Sequence, residues 1–252
     1  MKEQSNSIQV IGRLAKILDV IAAHKEPVSL KILSADTGLH PSTAFRILSS
    51  LAEHGFIERT SRGSYQLGVK LMQLGSRVSS SVDIRNIALP LMEKLRDQLG
   101  ETVNLTVREN DEVVYIERSV AKRMIKVEQV IGSRAPLHVT AVGKLILGYL
   151  GEEACRAYAK RNKLPAYTTN THTKVSTLLQ DVTLSFERGY SMDNEEAELG
   201  VGCIGTLIRD ANNNVVAGLS VSAPIERRKD EWVQQVMNTG MLISKQLGYH
   251  AP

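Results

Sequence analysis

Residues 41–67 read PSTAFRILSSLAEHGFIERTSRGSYQL, and their spacing predicts a helix followed by a small hairpin. Pro41 suits the first turn of a helix, where a missing N–H costs nothing and φ is already set. Ala44, Ile47, Leu48 and Leu51 recur at three- and four-residue offsets, which gathers them on one apolar face, and Gly55 ends the run. Residues 56–59 and 65–67 then flank Ser61-Arg62-Gly63, a hairpin with a basic tip. Working upstream, Ile8, Ile11, Leu14, Ala15, Leu18, Ile21 and Ala22 trace a first helix that ends near His24. Lys25-Glu26-Pro27-Val28 breaks it, Ser29 caps a short second helix bearing Leu30, Ile32, Leu33 and Ala35, and Gly38 closes a tight turn. Three helices and a hairpin make a winged helix-turn-helix over residues 1–67.

The face of the third helix opposite its apolar stripe carries Ser42, Phe45, Arg46 and Ser49, with Thr43 beside it. Arginine bonds guanine edges or phosphate, and short hydroxyls anchor the DNA backbone, so this face is expected to enter a major groove. Arg62, at the hairpin tip, is placed for a minor-groove or backbone contact. Charge agrees in kind: residues 1–80 hold ten of the 31 Lys and Arg against six of the 27 acids, which leaves 21 of each beyond. A basic excess confined to one end suits a phosphate-facing module joined to a neutral one.

Residues 68–81, with Val69, Leu71, Met72, Leu74 and Val78 before Ser79-Ser80-Ser81, are expected to form a linker helix. Beyond it, residues 84–99 read as a helix closed by Gly100. Residues 102–107, 113–119 and 124–130 read as strands, with turn chemistry at Asn110-Asp111. Helices are expected over 141–150, 152–162 and 175–188. Strands over 203–209 and 215–222 are joined by the hairpin signal Ala211-Asn212-Asn213-Asn214, and a last helix spans about 229–247. Strands in runs with helices at the ends predict an α+β domain with an antiparallel sheet over 82–252.

Two cysteines, Cys155 and Cys203, lie far apart without metal-ligand spacing, so neither a disulfide framework nor a metal site is expected. The start MKEQSNSIQV lacks a signal-peptide core, and no window approaches a membrane span. A cytoplasmic setting is expected, with no cofactor and no membrane partner.

Three motifs in order, PSTAFRILSSLAEHGFIERTSRGSYQLGVKLMQLG, APLHVTAVGKLIL and GYSMDNEEAELGVGCIGTLIRDANNNVVAGLSVSAP, resemble the IclR family of bacterial regulators. The resemblance covers nearly the whole chain. It implies a GAF-like sensing domain that binds a small carboxylate-bearing effector, and a homodimer or a tetramer built from two dimers. It also implies an effector pocket lined by Ala141, Val142, Asp193, Cys203, Ser220 and Ser222. The residues themselves agree: Ser220 and Ser222 fall on the same side of a strand, and a helix starting near Thr140 offers free N–H groups to an anion. Small apolar Ala141 and Val142 opposite two serines and Asp193 favour a sugar acid or a short hydroxy or keto acid over a bulky aromatic one. The expected role is therefore an effector-controlled repressor of carbon catabolism acting on double-stranded operator DNA.

Three other readings compete. One is an activator of aromatic-acid catabolism, and another is a protein-binding module, against which the basic first 80 residues argue. The third is an enzyme with Cys203 as nucleophile and His138 and Asp193 as base and orienter, yet nothing flanking Cys203 supplies the charge such a thiol needs. His138 reads as a structural histidine, and Glu195, Glu196 and Glu198 as a solvated cluster rather than metal ligands.

Overall fold

The computed structural model describes residues 8–81 and 83–250, with the backbone alone over 76–81. The readings of residues 1–7, including Lys2 and Glu3, and of the Arg77 and Val78 side chains lie outside the described residues. The chain divides into two compact units, Met1–Ser81 and Val82–Pro252.

The first unit holds helices α1 (Gln9–Ala23), α2 (Leu30–Thr37) and α3 (Pro41–Glu53), strands β1 (Ile57–Arg59) and β2 (Tyr65–Leu67), and helix α4 (Val69–Ser81). Its core joins Ile17 and Ile21 of α1, Leu33 of α2, and Ile47, Leu48 and Leu51 of α3 to Ile57 and Tyr65 of the hairpin. The Ser29 hydroxyl caps α2, and Gly38 ends it at φ 69°, a left-handed position where any Cβ is strained. Val28 does more than break a helix: it exchanges both backbone hydrogen bonds with Tyr65 at 2.8 Å and so adds a bridge to the wing.

The second unit is a six-stranded antiparallel sheet with helices on both faces. Its strands are β3 (Thr102–Glu109), β4 (Glu112–Ser119), β5 (Arg134–Pro136), β6 (Ser191–Asn194), β7 (Val201–Arg209) and β8 (Val215–Pro224), in spatial order β5-β4-β3-β8-β7-β6. Alternation sorts the side chains. Val103, Leu105, Leu219 and Val221 face α5 (Ile84–Leu99) and α9 (Trp232–Gln246), where Met92, Leu95, Trp232 and Val236 meet them in one core. The opposite face carries α6 (Ala141–Leu150), α7 (Glu152–Asn162) and α8 (Val175–Arg188) over a second core that includes Val142, Ile146 and Tyr158.

The strand expected over 124–130 is absent. Apolar alternation there belongs to an open loop whose Met124, Ile125 and Val130 are exposed. Arginines answer its carbonyls in place of a ladder: Arg118 donates to the Gln129 oxygen and Arg227 to that of Ile125. The sheet edge is taken by β5, which pairs with Glu112–Val114. Four-residue β6, with only Met192 apolar, gave no periodic signal. Among the described residues no helix is long and apolar enough to cross a membrane.

Candidate nucleic-acid interface and ligand cavity

In the first unit α3 turns Ala44, Ile47, Leu48 and Leu51 inward and leaves Ser42, Phe45, Arg46 and Ser49 exposed, with Thr43 half-buried at the margin. Phe45 is 45% exposed on the same face. The helix start has a cap that sequence reading missed: His40 Nδ1 accepts the Ser42 N–H at 3.4 Å and meets the Ser42 hydroxyl at 2.8 Å. His40 and Ser42 therefore form one polar cluster at the N-terminus of α3. Arg62 stands exposed on the wing tip, in a turn closed by Thr60 and Ser64.

In the second unit a cavity of about 220 Å³ lies between the sheet and the first turn of α6. Thr140 caps that helix by accepting the Gly143 N–H at 3.1 Å. The N–H groups of Ala141 and Val142, at the helix start, have no intrahelical acceptor. Gly218 lets α6 come this close, because a Cβ there would stand 2.1 Å from Val142 Cγ1. Five of the six expected effector residues, Ala141, Val142, Asp193, Cys203 and Ser220, line the cavity. Ser222 sits one step behind, 1% exposed, where its hydroxyl accepts from Asn104 Nδ2 at 3.1 Å and meets Cys203 Sγ at 3.2 Å. The pair of serines is thus one wall group and one support.

Sequence reading missed Thr106, Tyr115, Tyr167 and Arg134, which also line the space. They come from strands and a loop with no motif of their own. Arg134 is not a free cation, since Glu109 and Glu112 pair with it.

Asp193 lies opposite Cys203 in the β6–β7 ladder and accepts the Glu196 N–H at 2.8 Å, so it both caps a turn and faces the cavity. Burial pushes its carboxyl up to about 6; the N–H bonds of Glu196 and Ala197 oppose the rise, while the Glu196 charge adds to it. Folded Asp193 therefore holds its proton to higher pH than the unfolded chain does, and stability falls as pH rises through the interval between the two values. Above about pH 6 this site costs about 2–3 kcal/mol, and below about pH 4 nothing. Asp193→Asn, whose amide oxygen can still accept the Glu196 N–H, is expected to melt about 5–10 °C above wild type near pH 7.5. That gap should close toward pH 4 in thermal melts; a gap independent of pH would refute the assignment.

The remaining candidates take structural roles. His138 is buried between Tyr158 Oη at 2.8 Å and the Pro165 carbonyl at 3.2 Å, and burial lowers its pKa. Burial also raises the Cys203 thiol pKa, the reverse of an activated nucleophile. Glu196 corrects an expectation: instead of being solvated it is 3% exposed, with Oε1 2.7 Å from Lys144 Nζ. His172, Asp181 and Glu196 converge within 4.8 Å, but the Lys144 ammonium already pairs with both carboxylates, at 2.5 Å from Asp181 and 2.7 Å from Glu196.

An exposed polar helix beside a wing, and a separate sheet domain with a cavity at a helix start, define a transcriptional regulator. Residues 10–61 match the IclR helix-turn-helix domain and residues 76–245 the bacterial transcriptional regulator IclR C-terminal domain. The chain belongs to the IclR family. It is 33% identical over 231 residues to the HTH-type transcriptional regulator KipR of Bacillus subtilis, covering 90% of this chain and 92% of that one. It is likewise 33% identical over 248 residues to the HTH-type transcriptional repressor AllR of Escherichia coli, covering 96% and 92%. The crystal structure of the Agobacterium tumefaciens repressor BlcR superposes with a TM-score of 0.83 at 27% identity, over 98% of this chain and all of that one. The family and these relatives are regulators of transcription, not enzymes.

Proposed function

We propose that the chain is a repressor whose α3 lies in the major groove of its operator and whose cavity takes a short carboxylate effector. The effector class is a sugar acid or a short hydroxy or keto acid of carbon catabolism. The observation that carries this reading is the cavity itself, where the open N–H groups of α6, the hydroxyls of Ser220 and Thr106, and Asp193 face one small space. A carboxylate would rest on the α6 N-terminus, Ala141 and Val142 would flank it, and Asp193 would orient a hydroxyl. Cys203 completes the wall, with Ser222 acting through it. On the operator, Arg46 would read or grip, Ser42, Thr43 and Ser49 would anchor, Phe45 would pack on bases or sugars, and Arg62 would extend the footprint. Repressors among the relatives support the sign of regulation.

The proposed layout is residues 1–67 for DNA, 68–81 as linker helix and 82–252 as a GAF-like effector domain. Exposed Ile8, Val10 and Ile11 at the start of the first helix, with Val69 and Met72 on α4, support assembly as a dimer or a pair of dimers. Two α3 helices would then occupy successive grooves about one DNA turn apart. The site of action is the cytoplasm, where the operator is.

A second reading, an activator answering an aromatic acid, is favoured by Tyr115 and Tyr167 in the cavity wall. A thermal-shift screen with sugar acids, short keto acids and aromatic acids separates the two, because stabilisation follows saturation. For the acid that scores, affinity measured with and without operator is expected to differ by the factor that the acid imposes on operator affinity. Equal affinities would defeat the coupling.

A further inference from the structure

Lys144 lies one turn into α6, has no solvent exposure, and is flanked by two carboxylates from distant segments. Asp181 of α8 approaches its ammonium at 2.5 Å and Glu196 of the β6–β7 loop at 2.7 Å. The two partners do different work. Asp181 ties α6 to α8 and to His172, whose Nε2 lies 3.2 Å away. Glu196 belongs to the segment that closes the cavity, since its neighbours Ala197 and Glu198 line the space, and its own N–H bonds the Asp193 carboxylate. The loop is also held from outside, where Thr171 Oγ1 donates to the Glu196 carbonyl at 2.7 Å and Thr168 Oγ1 to that of Glu195 at 2.6 Å. Glu196 Oε2 is buried with no hydrogen-bond partner among the described residues, so this carboxylate is kept indoors chiefly by Lys144.

We infer that Lys144 is a positioning residue for the cavity: through Glu196 its ammonium latches the 194–200 loop shut over Asp193 and Cys203. The same helix thereby supplies one cavity wall from its first turn and anchors the opposite wall from its second. A buried ion pair that loses one partner leaves a stranded charge, so the closed loop is the arrangement that keeps both groups satisfied. Opening the loop breaks the Glu196 pair and leaves the Asp181 pair intact. The inference rests on reading the cavity as the effector site, and its test needs no effector, so each can fail without the other.

Cys203 faces the cavity while Cys155 is wholly buried elsewhere in the same unit, which gives an internal control for thiol labelling. Full-length wild type, Glu196→Gln and Asp181→Asn would be exposed to iodoacetamide at one pH, and alkylation at each cysteine followed by mass spectrometry. Cys203 is half-buried, and labelling of a partly covered site rises with the population of its open form, so Glu196→Gln is expected to speed Cys203 labelling severalfold. Cys155 should keep its wild-type rate, and Asp181→Asn should leave both cysteines unchanged. Lys144→Met should match Glu196→Gln where it folds; where it does not, Glu196→Gln alone decides. An unchanged Cys203 rate in Glu196→Gln would overturn the latch. So would equal acceleration of both cysteines, or equal acceleration of Cys203 by Asp181→Asn, since either means that Lys144 only supports the fold.

Discussion

Replacing Arg46 with alanine is expected to weaken operator binding by about one to two orders of magnitude at fixed salt, the range for losing one guanidinium contact to a base edge or phosphate. The case is geometric. Arg46 is exposed on α3, between Phe45 and buried Ile47, so its removal deletes a donor group without opening the core. The Arg46→Ala protein should melt with wild type and respond to effector as wild type does. Fluorescence anisotropy on a labelled upstream fragment, repeated across a salt series, separates two modes of contact. A shallower salt dependence means a lost phosphate contact, while an unchanged slope with relaxed sequence preference means a lost base contact. Wild-type affinity would show that α3 is not the groove-facing helix. Leu48→Ala makes the opposite comparison, because a side chain with no exposure leaves a hole, lowering stability by about 2–5 kcal/mol and reducing DNA binding only through the unfolded fraction.

Gly218→Ala should cost the second unit about 1–3 kcal/mol, toward the upper end, and lower its melting temperature by about 4–10 °C. The added methyl would sit 2.1 Å from Val142 Cγ1 and 2.8 Å from Cγ2, so α6 must lift from the sheet or Val142 must turn away. Either movement deforms the cavity wall, and effector-induced stabilisation should shrink with it. Adding Val142→Ala makes room for the methyl and should recover part of the loss. Gly12→Ala is the control: nothing lies within 4 Å of that position in α1, and alanine suits a helix better than glycine. A Gly218→Ala protein as stable as wild type would mean that the close approach of α6 is not a constraint.

Much of this architecture was legible because it follows local rules. Pro41 and Gly55 bracket α3, Ser29 and Gly38 bracket α2, and the Asn212–Asn214 turn announces the β7–β8 hairpin. The misses share one cause, which is contact between residues far apart in sequence. Lys144 within AVGKLIL reads as an incidental polar residue on an apolar helix, because its partners are 37 and 52 residues away. Alternation over 124–130 reads as a strand, because nothing local reveals that β5 takes the sheet edge. Ser222 shares a strand face with Ser220 by simple alternation, yet its depth depends on Asn104, 118 residues upstream. Val28 pairs with Tyr65 by the same kind of distant contact.

The cavity's walls come from β3, β4, β5 and the start of α6 in one stretch of the chain and from β6 to β8 in a later one. An occupant would therefore staple together segments far apart in sequence. Where such contacts form only after the folding transition state, the ligand slows unfolding and scarcely hastens folding. Under the proposed function, the protein loaded with its effector would outlast its empty counterpart against cellular proteases, so an effector would set how long the protein survives as well as where it binds.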